Sequence, residues 1–129
     1  MVVDSSAILA ILQRESEAAA FRHAIDRAPT ALIGAATLFE CSMVLLSRRG
    51  EGGVDDLTGI IEGGAIQIVP VDEHHAALAL DAFRRYGRGR HRAGLNYGDC
   101  LSYALAKATG LPLLFKGDDF IHTDVRSAV

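Results

Sequence analysis

Acidic side chains carried by apolar segments are the residues in this chain with the clearest capacity for chemistry. Asp4 is reached by Met1-Val2-Val3 and followed by Ser5, Ser6 and an Ala/Ile/Leu run without alternation. That pattern reads as a short buried strand whose C-terminal end delivers a carboxylate to the mouth of a sheet, the edge at which open α/β sheets bind ligands. Glu40 lies within a helical pattern whose neighbours at minus four, plus three and plus four are Ala36, Met43 and Val44. A carboxylate there faces other protein, where an unpaired charge is costly, and its nearest helical bases, Arg48 and Arg49, are two turns away. A salt bridge to a base elsewhere in the chain is the alternative account. Asp99 falls in the first turn of a helix with Asn96 as candidate N-cap, and Asp118 and Asp119 follow the last strand. For Asp99 the plain alternative is a favourable charge at a helix start.

One acid from a strand end, one from mid-helix, one from a helix start and one from a post-strand loop form a convergent set. Gathered carboxylates repel, and a hard divalent cation with oxygen ligands, magnesium or manganese, is the simplest remedy. Such a site leaves coordination positions for water and substrate phosphate, and the matching chemistry is metal-assisted phosphodiester hydrolysis.

The elements that must position these acids are legible from apolar runs and breakers. Strands are expected at the N-terminus, Thr30 to Gly34, Ala65 to Val71 and Leu111 to Phe115. Helices are expected over Ser5 to Gln13, Glu15 to about Arg27, Ala35 to Arg49, Val54 to Glu62, Asp72 to Tyr86 and Asn96 to Thr109, with Gly52 and Gly53 in a loop. Ala76, Leu80 and Phe83 are expected as the buried stripe of the fifth helix, and Tyr97, Leu101, Ala104, Leu105 and Ala108 as that of the sixth. Strands alternating with helices favour a parallel central sheet of four or five strands flanked by helices, in an α/β fold.

At 129 residues the chain fits one domain spanning 1–129, able to bury roughly two thirds of its unfolded surface. A net charge of −3 argues against coating nucleic acid with the whole surface. Cys41 and Cys100 lie outside any C-x-x-C spacing and read as core thiols of a reducing compartment. No apolar run approaches the roughly 18 residues of a membrane span, and the start lacks a basic n-region, so a cytoplasmic protein with no membrane partner is expected.

Four blocks carry a resemblance over nearly the whole chain: the opening Val-Val-Asp-Ser-Ser-Ala, Ala-Ala-Thr-Leu-Phe-Glu, Asn-Tyr-Gly-Asp-Cys-Leu-Ser-Tyr-Ala-Leu-Ala, and Leu-Leu-Phe-Lys-Gly-Asp-Asp-Phe-Ile-His-Thr-Asp. In this order they resemble a PIN-domain ribonuclease, and within that family the VapC-type toxins of bacterial toxin-antitoxin pairs. The resemblance implies a PIN-like α/β domain, a magnesium-dependent endoribonuclease, dimerisation, and inhibition by a cognate VapB-type antitoxin. Carried over by motif, the catalytic and metal-binding acids are Asp4, Glu40, Asp99 and Asp119, with Asp118 ranked second for the fourth position. Ser6 is a further candidate, to orient the acid or a water, with helix capping as its alternative role.

Arg84, Arg85, Arg88, Arg90 and Arg92, with Tyr86 among them, precede the helix carrying Asp99. This basic, glycine-broken stretch suits an RNA phosphate chain, with Tyr86 free to stack on a base; a solvated loop or a docking site for an acidic antitoxin segment are the alternatives. None of the five histidines adjoins Asp4, Glu40 or Asp99 in sequence, which disfavours a metal-free imidazole mechanism.

Three rival readings compete with the nuclease. A phosphatase with Asp4 as nucleophile usually has a second acid two residues on, where Ser6 stands. A receiver-like regulatory module suits Lys116 but needs an acceptor Asp after a central strand, and the third strand offers only Asp72 and Glu73 beyond Pro70. A catalytically inactive, metal-stabilised binding domain would use the same acids without turnover.

Overall fold

The computed structural model describes residues 1–129. Strands β1 (Val2–Val3), β2 (Leu32–Gly34), β3 (Gln67–Val69) and β4 (Leu113–Leu114) form one sheet in the order β3-β2-β1-β4. Every pair is parallel. Six helices connect them: α1 (Ser5–Leu12), α2 (Ala18–Arg27), α3 (Ala35–Arg49), α4 (Glu51–Gly63), α5 (Glu73–Tyr86) and α6 (Tyr97–Thr109).

The strands are short, and successive residues on β1, β2 and β4 face opposite core layers. Val3, Ile33 and Leu114 join the layer built with Ala7, Ile8, Phe21, Leu45 and Leu57, whereas Val2, Leu32 and Leu113 join the layer with Cys100, Tyr103, Leu105 and Phe120. Successive strand side chains point to opposite faces, so a sheet covered on both sides reads as continuous apolar sequence. Beyond β4, the backbone of Arg126 and Ala128 bonds to Leu113 at 2.8 and 2.9 Å, closing that edge.

The chain steps from β1 to β2 and β3 on one side, then crosses to β4 on the other. A crevice therefore opens past the carboxyl ends of β1 and β4, where Asp4 and the Gly117-Asp118-Asp119 turn emerge.

Two expectations about packing are corrected. Helix α4 starts at Glu51, so Gly52 and Gly53 lie inside it rather than in a loop. The reversal is made by Gly50, at φ +67°, and Gly53 marks a close helix crossing: a Cβ there would stand 2.9 Å from the Leu45 carbonyl oxygen and the Arg49 Cβ. The second concerns which faces are buried. On α5 the inward residue is Ala82, while Ala76, Leu80 (51%) and Phe83 (38%) are exposed; on α6 Ala104 and Leu105 are buried as expected, but Tyr97 is 81% exposed and Ser102, Tyr103 and Ala106 are buried as well. Because α6 packs against α5, α3 and the sheet together, its interior runs around the helix rather than along one stripe. No helix is long and apolar enough to cross a membrane.

Candidate active site

Asp4 is the N-cap of α1 and is 2% exposed. Its Oδ2 accepts from the Ser6 amide at 3.0 Å and the Ser6 hydroxyl at 2.6 Å. Its Oδ1 accepts from the hydroxyl of Ser102 at 2.5 Å. Ser6 in turn accepts from the Lys116 amide at 3.0 Å, so one hydroxyl ties the end of β4 to the carboxylate at the end of β1. Capping of α1 thus falls to Asp4, and Ser6 orients the acid.

Asp99 takes part in a capping box: its amide donates to Asn96 Oδ1 at 2.9 Å, and its own Oδ2 accepts from the Asn96 amide at 3.0 Å. The helix-start role is real and uses one oxygen. Burial nevertheless pushes the Asp99 carboxyl up from 3.8 to about 6; the Asn96 amide opposes the rise, and the charges of Asp4, Asp119 and Glu40 add to it. Acids from three other elements therefore press on this one carboxylate. Glu40 reaches it from mid-α3, half-buried, with its carboxylate seated against Gly98. Asp119 precedes the short 3-10 turn Phe120–His122 and is exposed, as is Asp118.

No base neutralises this group. The ion pairs of the molecule use Asp26, Asp56, Asp72, Asp81, Asp124, Glu15 and Glu17, and none uses Asp4, Glu40, Asp99, Asp118 or Asp119. The distant salt bridge for Glu40 is therefore absent. No three acidic, histidine or cysteine side chains already converge as a ready-made ion cage. The donor set is all oxygen and carries uncompensated negative charge, which fits a hard divalent cation that keeps several of its waters.

Cys41 and Cys100 are free, buried thiols as expected. Burial lifts Cys41 to about 12, helped by the neighbouring charges of Asp4 and Glu40, and Cys100 to about 11, so neither supplies a thiolate nucleophile.

Ser102 is the site residue that the reading of the sequence missed. The signal was present: it lies three residues after Asp99 on the same helix, the spacing that puts both on one face. Ser102→Ala strips a donor from a buried carboxylate and is expected to lower stability by about 1–3 kcal/mol, read as a shift in the urea midpoint with unchanged slope. No shift would mean that water replaces the hydroxyl.

The basic stretch is only partly free. Arg84, Arg85 and Tyr86 form the last turn of α5. Arg85 donates to the hydroxyls of Tyr103 (3.2 Å) and Tyr86 (2.9 Å) and pairs with Asp124 at 3.6 Å and Asp81 at 3.7 Å. Tyr86 is held against Tyr103 and His91, with ring centroids at 5.9 and 5.2 Å, and so is not the open stacking platform expected of it. Arg84, Arg88, Arg90 and Arg92 are exposed and make no ion pair.

Lys116 pairs with Glu15 and with Glu17 (3.3 Å), away from the acids, and β3 is an edge strand; neither suits a receiver-like module.

The PIN domain family model matches residues 1–126. The chain is 48% identical over 125 residues to Ribonuclease VapC of Mycolicibacterium smegmatis, covering 97% of each. It is 46% identical to Ribonuclease VapC30 of Mycobacterium tuberculosis over 97% of this chain and 95% of that one. Against Ribonuclease VapC28 of the same organism it is 47% identical, over 100% and 98%. Among solved structures, VapC20 of Mycobacterium tuberculosis, described as a sarcin-ricin loop cleaving toxin, superposes with a TM-score of 0.77 at 16% identity, over 96% of this chain and 95% of that one. That fold, and sequence identity running nearly end to end, place the chain in the PIN-domain family, among the VapC ribonucleases.

Proposed function

We propose that this VapC-family ribonuclease is a magnesium-dependent endoribonuclease, the toxin of a toxin-antitoxin pair, which hydrolyses RNA phosphodiester bonds at the carboxylates Asp4, Glu40, Asp99 and Asp119. The observation that carries the reading is geometric: Asp4 from the end of β1, Glu40 from α3 and Asp99 from the first turn of α6 come to one crevice, the Glu40 carboxylate seated against Gly98 beside Asp99, and no base pairs with any of them; the raised Asp99 carboxyl agrees with it.

Asp4 and Asp99 would hold the principal ion, magnesium or in its place manganese. Glu40 and Asp119 would complete a second, weaker site or orient the attacking water. Asp118, whose charge is not among the largest acting on Asp99, stays the secondary candidate. When bound, the ion supplies positive charge to the phosphoryl oxygens and makes an attacking water more acidic. The protein's share is placement. Ser6 and Ser102 fix the Asp4 carboxylate, and the Asn96 cap fixes one oxygen of Asp99 while the other accepts no hydrogen bond from the protein. In-line attack with the 3′-oxygen leaving gives a 5′-phosphate and a 3′-hydroxyl.

Incubating the purified protein with total cellular RNA, with and without magnesium, and mapping the ends tests this directly. Discrete cuts with 5′-phosphates that need magnesium support it; 2′,3′-cyclic phosphate ends or cutting in chelator overturn it.

Arg84, Arg88, Arg90 and Arg92 are proposed to guide the RNA backbone, with Arg85 contributing charge from its fixed position. Replacing Arg88, Arg90 and Arg92 with Gln is expected to weaken RNA binding by roughly tenfold or more at low salt and to reduce the slope of affinity against salt by up to about three. Unchanged affinity and slope would make the loop a bystander.

The same reading includes a cognate VapB-type antitoxin and action in the cytoplasm. It also includes a homodimer, for which the exposed Phe39, Met43, Leu80, Phe83 and Tyr97 on α3, α5 and α6 offer an apolar surface.

A further inference from the structure

Gly98 has no conformational reason to be glycine. It lies in the first turn of α6 without a positive φ, between two residues that carry side chains. Gly50 and Gly110, by contrast, answer to backbone geometry, each with a positive φ at a helix end. At position 98 alanine would be the better helix former. The space it leaves is filled from another element. A methyl group built on Gly98 would stand 3.0 Å from the Cδ and Oε1 of Glu40, and closer still to Oε2; no other residue is as near.

We propose that Gly98 is a positioning residue for the carboxylate cluster: by carrying no side chain, it leaves the seat that the Glu40 carboxylate occupies against α6, next to Asp99. The idea rests on the nuclease reading for its functional consequence, but the seat itself is a steric statement independent of it.

A methyl at 98 forces the Glu40 carboxylate away by about 1 Å to regain ordinary contact distance. The obstacle is the tip of a flexible side chain, so it swings aside and the backbone keeps its path. The fold survives while the carboxylate set loses its register. Misplacement on that scale is costly in a reaction that depends on aligned groups, on the order of 10²-fold in rate. Two neighbouring positions in the sequence therefore have different jobs: Asp99 presents an oxygen, and Gly98 makes room for the oxygen of another helix.

The test is a cycle of wild type, Gly98→Ala, Glu40→Ala and the double variant, read by thermal melting without divalent ions, by manganese titration calorimetry and by RNA cleavage. In the metal-free protein Gly98→Ala should raise the melting temperature in the Glu40→Ala background, where only helix propensity acts, and give no gain or a loss when Glu40 is present. Manganese affinity should fall about tenfold on Gly98→Ala with Glu40 present and change less than twofold without it. Cleavage should fall about 100-fold in Gly98→Ala, and pairing it with Glu40→Asp, one methylene shorter, should restore part of the loss. Equal effects of Gly98→Ala in both backgrounds, in melting or in manganese affinity, would overturn the proposal. If the wild type neither binds manganese nor cuts RNA, the nuclease reading fails, and the melting cycle alone decides whether the glycine seats Glu40.

Discussion

Asp99→Asn is expected to reduce RNA cleavage by about 10³-fold or more while making the metal-free protein more stable at neutral pH. The two effects have one cause. In the folded chain the Asp99 carboxyl titrates near 6 instead of 3.8, because it is buried and faces the charges of Asp4, Asp119 and Glu40. A carboxyl whose folded pKa lies above its unfolded value binds its proton more tightly when folded. Stability from this group is therefore greatest below about 3.8, declines as pH rises to about 6, and stays lost above it. Being partly accessible, it costs at neutral pH about 2 kcal/mol, which the neutral amide does not incur. The amide still offers a carbonyl oxygen to the Asn96 N–H, so the helix start is kept.

Differential scanning calorimetry of both proteins in chelator should show the variant melting higher at pH 7 and the gap closing toward pH 4. A variant that melts lower at pH 7 would mean that the capping role outweighs the repulsion. Asp4→Asn should behave in the opposite way. Asp4 is 2% exposed, and its oxygens accept three hydrogen bonds from Ser6 and Ser102. An amide NH₂ turned toward those donors leaves a buried polar group unsatisfied, costing about 1–3 kcal/mol, so its loss of cleavage must be measured below its own melting transition.

How much of this was legible in the sequence depends on whether a residue's job is local or between elements. Helix α3 begins at Ala35 and ends at Arg49 as expected, because a strand-ending Gly34 and the φ-positive Gly50 are local signals. Asn96 as a cap and Asp99 as a first-turn acid were likewise readable from four consecutive residues. The parallel sheet followed from alternation of strand and helix, and the covered faces from the lack of alternation within strands. What escaped were facts of contact between distant segments. Ser102 looks like one small residue among alanines until α6 is laid over the end of β1. Gly53 looks like a loop residue until α4 is pressed on α3. The apolar residues of α5 look like a core stripe, yet Leu80 and Phe83 face outward because Ala82 makes the close approach to the second core layer. Arg85 looks available to a polyanion, but Asp81 and Asp124 come from opposite sequence directions to hold it.

Magnesium is expected to reverse the pH response of Asp99, and its removal to abolish cleavage. Any ion taking the free oxygen of Asp99 must compete with a proton held up to about pH 6. Below that pH, apparent affinity should fall by up to about tenfold per pH unit, and binding should release close to one proton. Above it, the ion cancels the repulsion that the metal-free fold bears, so the melting temperature should rise on magnesium addition at pH 7.5 and hardly at all at pH 5. The informative quantity is the difference between wild type and Asp99→Asn, since it removes other titrating groups such as Asp124, an exposed carboxyl in which partial desolvation is outweighed by the lowering effect of Tyr103, Lys107 and Arg85. Without ion, wild type gains on the variant as pH falls from 7 to 4. With saturating magnesium, wild type should lose ground over the same interval, because protonation expels the ligand. Parallel pH slopes with and without magnesium, together with cleavage that continues in chelator, would mean that no divalent ion meets Asp99 and that the carboxylates act on RNA without one.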